Sequence, residues 1–313
     1  MIGATRPRPA RWRRLWQYQA ERFPLVQHGP LIAVFTFSAV AYSRICRGVP
    51  GFIGWADFAA GVFLTFTLFA LVRLFDEFKD HEDDLRHRSY LPVPRGLVSL
   101  RELGAVILGL IAAQLLVIFC FQPALLPLYA LVLGYLLLMG VEFFVPAWLK
   151  RHHLCYIASH MVIIPLIDLY ASGLDWRLAG GLPHAGLGWF FAVSFANGLV
   201  LEFGRKLRVP ATEEPGVLSY TRYFGPLGGV VAWLLVLLVT LGLAIGAALY
   251  AGYGLTGTLL LSGFFLLCAT PGIRFLWRPS AALTRHIEYA SGGWTIGMYL
   301  ALGAIPFLKN LWV

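Results

Sequence analysis

Apolar residues in this chain run continuously for about 20 positions at a time, the length a helix needs to cross the hydrocarbon core of a bilayer. Polar residues fall between the runs. Nine runs are read: residues 28–47, 55–78, 102–121, 124–145, 154–173, 185–204, 225–251, 255–276 and 291–311. Apolar positions within them are continuous rather than alternating, which predicts helices and not the strands of a barrel. In lipid every backbone polar group must be satisfied by protein, and a helix does this alone. The pattern predicts an all-α, polytopic membrane protein: a basic interfacial arm over 1–27, then a single nine-helix transmembrane domain over 28–313.

Composition agrees. Of 313 residues 58% are hydrophobic and 13% charged, against about a quarter charged in soluble domains. The formal charge of +9 raises the question of nucleic acid, and its placement answers it. Arg11, Arg13, Arg14, Arg22, Lys79, Arg86, Arg88, Arg95, Arg101, Lys150, Arg151, Arg205, Lys206, Arg208, Arg222, Arg274, Arg278 and Arg285, with Arg6 and Arg8 ahead of them, fall on one side of a nine-span chain. The other side has only Arg44, Arg47, Arg177 and Lys309. This asymmetry follows the positive-inside rule. It places the basic loops and the N-terminus in the cytoplasm, and predicts a multi-pass protein of a bacterial inner (plasma) membrane with no nucleic-acid partner. No cleavable leader is visible, and the basic, aromatic N-terminus reads either as an arm on an anionic membrane face or as a disordered leader. Cys46, Cys120, Cys155 and Cys268 form no CxxC pair and read as packing residues.

The polar residues concentrate after spans two and six. Asp76, Asp80 and Asp84 recur every four residues, with Glu77 and Asp83 beside them. On a helix that spacing puts three carboxylates on one slowly drifting face, where they repel one another. Such a cluster persists when a cation neutralises it. Oxygen-only ligands favour Mg²⁺, commonly held by one or two carboxylates together with phosphates. Arg73, Arg88 and Arg95, with Lys79 and Arg86, interleave as partners for a diphosphate. The alternative is a solvated, salt-bridged helix end. The two prolines and the glycine of Leu91–Gly96 stop the helix, and a sharp turn there would set Arg95 back over the acidic face.

DxxxDxxxD at the end of a second span, followed by PxPxG, resembles the first aspartate-rich motif of the UbiA superfamily of intramembrane prenyltransferases. Asp76 stands at the family's asparagine position and Asp80 and Asp84 at its two aspartates. Pro92, Pro94 and Gly96 match the turn, while Leu91 replaces an arginine. The resemblance implies a helical bundle around a central cavity open sideways to lipid. It implies Mg²⁺-dependent ionisation of a polyprenyl diphosphate and transfer of the prenyl group to an aromatic or other acceptor that the sequence does not identify. No covalent nucleophile on the protein is called for. After span six the family has a second acidic motif. Here Glu202, Glu213 and Glu214 are the carboxylates available for a second metal, Arg205 and Lys206 are diphosphate partners, and Lys206 stands where the family has an acid. That loop reads alternatively as a charged connector.

Lys150 and Arg151, after span four, are further phosphate candidates. His153 and His160, two turns apart on one face of span five, read as packing residues, and Asp168 and Asp175 as structural ones. Asn197, midway along span six, serves either a cavity or a helix–helix contact. Two other readings stand beside the transferase. One is a terpene cyclase on the same scaffold. The other, of a different class, is a small-molecule transporter or non-catalytic binding protein, which would place charged or broken helices near the bilayer midplane.

Overall fold

A computed structural model describes residues 10–210, 213 and 219–310 of the chain. Arg6, Arg8 and Glu214, singled out above, lie outside the described residues. The elements in chain order are α1 (Arg11–Arg22), α2 (Leu25–Arg47), α3 (Trp55–Lys79), α4 (His81–His87), α5 (Leu100–Phe121), α6 (Leu126–Gly140), α7 (Pro146–Arg151), α8 (His153–Met161), α9 (Ile163–Trp176), α10 (Leu187–Arg205), α11 (Tyr220–Tyr250), α12 (Gly254–Trp277), α13 (Ala281–Tyr299) and α14 (Ile305–Asn310). Among the described residues nine helical segments are long and apolar enough to cross a membrane. Large apolar side chains on α5, α11 and α12, such as Leu108, Leu116, Leu235, Leu259 and Leu267, are exposed. That is the surface a bilayer covers and water does not tolerate.

The bundle is closed by α2 and α10. The first packs against α3, α9 and the last span; the second packs against α9, α11 and α13. Close approach rests on small residues. A Cβ at Gly61 would meet Leu174, one at Gly204 would meet Ser291, and one at Gly303 would meet the backbone of Ser38.

The element boundaries have local causes. Ser99 and Glu102 form a reciprocal capping box that starts α5. Span five is two helices because Pro165 cannot donate to the Met161 carbonyl, so α8 ends there and α9 restarts. Span four is shorter than the apolar run over 124–145. It stops at Gly140 because Glu142, Phe143 and Phe144 take left-handed backbone in succession, before Pro146 opens α7. The last span begins at Ala281, ten residues before the predicted 291, because Ser280 caps a helix through the polar stretch holding Arg285, His286 and Glu288. It then loosens into a π segment, Leu300–Ala304.

The arm is ordered as α1, and it is anchored by side chains. Arg14 donates to both carboxylate oxygens of Glu102 (3.1 and 2.6 Å) and to the Leu97 carbonyl (3.0 Å). Arg22 pairs with Glu77 at 2.6 Å, and Tyr18 is buried beneath the helix. Trp12 and Trp16 face outward.

Candidate functional site

Three backbone bonds carry the end of span two into the next helix: Asp80 N to Asp76 O (2.9 Å), Asp84 N to Asp80 O (2.9 Å) and Arg88 N to Asp84 O (2.8 Å). The four-residue register survives the break at Asp80, so the three aspartates do share a drifting face. Their surroundings differ. Asp76 and Asp80 are partly open, Asp80 being 38% exposed, and Lys79 lies between them, 3.5 Å from Asp76 and 3.8 Å from Asp80. Asp84 is 3% exposed and held by Arg88 at 2.5 Å. Burial pushes the Asp80 carboxyl up to about 6. Lys79 and Arg88 oppose this rise, while the Asp76 and Asp84 charges add to it. Burial also raises Asp84, against the pull of Arg88 and Arg22.

Glu77 points away from this face. It is 1% exposed, bound by Arg22 of α1 and by Arg73 at 3.1 Å. Arg73 also reaches Asp76 at 3.6 Å. Arg95 does not return over the aspartates. It makes two bonds to Glu21 of the arm (2.9 and 2.7 Å) and one to the Tyr90 carbonyl (2.8 Å). Leu91–Gly96 therefore fastens the arm to the loop. Lys150 lies 3.8 Å from Asp83, both well exposed, and Arg151 bonds its own helix at Ala147.

The end of span six supplies the second charged group. Glu202 is buried and closed over by Arg205 and Lys206, each at 2.5 Å. Glu213 is separately engaged, accepting from Ser219 (2.8 Å) and Thr221 (3.2 Å) within its own loop. Among the described residues no three His, Cys, Asp or Glu side chains gather as a metal cage. The two partly open carboxylates, Asp76 and Asp80, fit the smaller requirement of a magnesium diphosphate, one or two carboxylates plus phosphate oxygens. Glu202, already neutralised by two cations, does not fit a second metal. Arg205 and Lys206, both reaching solvent, fit an anion.

The two groups are joined by a seam of rings from α8, α10 and α11. Lys79 donates to the Tyr156 hydroxyl at 2.6 Å, and Tyr156 stacks on His160 with centroids 4.0 Å apart. His153 stands against Tyr220 (5.8 Å) and Tyr223 (5.9 Å), and Tyr220 stacks on Phe203 at 4.0 Å. Positions 153, 156 and 160 share one helical face, so spacing could have found the seam. Of these three only Tyr156 went unremarked in the sequence, as did Phe203, Tyr220 and Tyr223 on the neighbouring helices.

This arrangement sits on a known scaffold. A solved UbiA homologue from Aeropyrum pernix K1, in its apo form, superposes with a TM-score of 0.66 at 16% identity, over 91% of this chain and 98% of that one. A solved structure of a digeranylgeranylglyceryl phosphate synthase gives 0.63 at 12% identity, over 96% and 100%. The chain has the UbiA fold. No family model and no curated protein matches it.

The UbiA-type bundle also holds two polar knots away from the charged end. Asp168 on α9 accepts from Ser194 on α10, whose hydroxyl also lies 2.9 Å from that of Tyr299 on α13. Asp175 is gripped by Arg44 and Arg47, both at 2.9 Å, and by Ser43. Both acids tie helices together, in keeping with structural roles. Asn197 is buried one turn along α10 from Ser194, with neither amide atom partnered among the described residues.

Proposed function

We propose that this chain is a divergent UbiA-type prenyltransferase of the membrane, ionising a polyprenyl diphosphate and passing the prenyl group to an acceptor. The observation that carries the reading is the apposition, at one end of a UbiA-type bundle, of an open carboxylate pair and a cationic group. Asp76 and Asp80 would hold magnesium, which would supply positive charge to the leaving diphosphate. Arg205 and Lys206 grip the diphosphate from span six. Lys206, standing where the family has an acid, does as a fixed charge part of what a second metal would do. Arg88 holds Asp84 in place, and Arg73 holds Glu77 and steadies Asp76. Lys150 and Arg151 lie further out, where they draw anions toward the site. Tyr156, Tyr220 and Phe203 set stacked rings beside the two groups, which exclude water there. The charged end faces the cytoplasm in this reading, as the distribution of arginine and lysine requires.

A transporter would build on Asp168. That residue is fully buried with partners on two other helices, which favours a packing role over a passage.

The test is direct. Purified protein given geranylgeranyl diphosphate and Mg²⁺ releases diphosphate, and Asp76→Ala and Asp80→Ala each abolish the release. Full activity in both variants would sink the assignment.

A further inference from the structure

His160 is 7% exposed, and its ring stacks on Tyr156, whose hydroxyl Lys79 binds beside the aspartates. Its Nδ1 lies 2.8 Å from the Tyr156 carbonyl oxygen. A carbonyl can only accept, so Nδ1 carries the hydrogen and Nε2 keeps a lone pair. Nε2 is buried and meets no partner among the described residues. Buried polar atoms without partners are few in folded proteins, and each calls for an explanation. The ring is held on both sides. Tyr156 stacks on it, and Phe143 meets it edge-on at 6.1 Å. Phe143 belongs to the left-handed turn Glu142–Phe144, a strained backbone of the sort found around working sites. The charged groups facing the imidazole are Lys79 and Asp76 from α3 and Glu202 from α10, with the Tyr156 hydroxyl beside them.

We propose that His160 is the base of the transfer step, its Nε2 taking the proton given up by the acceptor. The inference rests on the prenyltransferase reading and adds a residue to it. The bond between prenyl carbon and diphosphate oxygen breaks, and both electrons leave with the diphosphate. An oxygen lone pair or ring π pair of the acceptor forms the new bond to that carbon. The acceptor's O–H or ring C–H then releases its proton to Nε2, and the electrons of that bond stay with the product. The imidazolium returns the proton to water before the next cycle. The carboxylates described nearby are already engaged. Lys79 lies beside Asp76 and Asp80, Arg88 holds Asp84, and Arg205 and Lys206 cover Glu202.

The experiment uses the full chain in nanodiscs, with radiolabelled geranylgeranyl diphosphate and a total lipid extract as the source of acceptor. Diphosphate release and prenylated product are followed separately. His160→Phe keeps the ring stacking and removes the base. It should lower product by about 100-fold or more, the usual worth of a positioned base, while diphosphate release falls far less and prenyl alcohol accumulates. The acidic limb of the pH profile for product formation should vanish with it. His160→Ala should regain product with added imidazole but not with pyrazole, which has the same shape and is a much weaker base. His160→Gln serves if the phenylalanine variant does not fold. Wild-type product yield and pH profile in a folded variant would overturn the role of His160 and leave the prenyltransferase reading standing, as would equal rescue by imidazole and pyrazole. Absence of diphosphate release from the unmodified protein would instead overturn the prenyltransferase reading, and this inference with it.

Discussion

Lys79 ties Tyr156 to the aspartate face: its Nζ is 2.6 Å from the phenol oxygen and 3.5 Å from Asp76. A buried ammonium thus stands where a like-charged pair would otherwise repel. Lys79→Met should cost about 1 kcal/mol of stability, the range of a partly exposed pair, since Asp76 and Asp80 both reach solvent. Millimolar Mg²⁺ should restore part of it, because the metal then supplies the missing charge. Thermal unfolding of the solubilised variant, with and without Mg²⁺, checks both halves. A variant as stable as the wild type, with no added response to Mg²⁺, contradicts the pairing.

Asp80 gives a pH dependence. Its folded carboxyl sits at about 6, against an ordinary 3.8. Between those values the folded state binds more protons than the unfolded one, so this group's contribution to stability falls as pH rises from about 4 to 6. Metal binds the ionised carboxylate, so stabilisation by Mg²⁺ runs the other way, present at pH 7.5 and fading as pH drops through 6. Asp80→Asn should flatten both trends in a thermal-shift series.

Two of the arm's acid–base contacts should differ in weight. Glu77 is buried between Arg22 and Arg73, and Glu77→Ala, by stranding two cations, should cost about 3–5 kcal/mol. Glu21 and Arg95 are each 34% exposed, and Glu21→Ala should cost under about 1 kcal/mol. Limited trypsin digestion adds a local readout, since Arg22→Ala should speed cleavage within α1.

Lys206, like Leu91, departs from the motif pattern that the sequence resembles. Lys206→Ala should weaken binding of inorganic diphosphate by about 10-fold, corresponding to the lower range for a hydrogen bond to a charged group. Lys206→Glu should weaken it further by placing a second carboxylate next to Glu202. Calorimetric titration with diphosphate separates the two, and unchanged affinity in both would remove Lys206 from the site.

What the sequence made legible follows from what each residue must satisfy. The spans could be read because lipid permits little else, and the aspartate face because a four-residue spacing survives the break at Asp80. Boundaries slipped where local chemistry overruled hydropathy. Ser280 starts a helix through Arg285 and Glu288, and three left-handed residues end span four early. Partners across the fold were not legible. The cation expected to neutralise the aspartates is in the first instance Lys79, one residue from Asp80, and the cation on Glu77 is Arg22, 55 positions earlier. Arg95 was expected over the acids because the turn is rigid, but the position of Glu21 on α1 decides where it goes. His160 and Tyr156 were obscured by degeneracy, since rings in an apolar span usually only pack.

The anchoring of α1 also bears on how the chain is assembled. Its contacts are Glu77, Arg95, Leu97 and Glu102, all of which leave the ribosome dozens of residues after it. The arm therefore waits, undocked, until spans two and three have been inserted. Although α1 precedes every span, its docking waits on span two and the start of span three, and only then does Glu77 gain its partner Arg22.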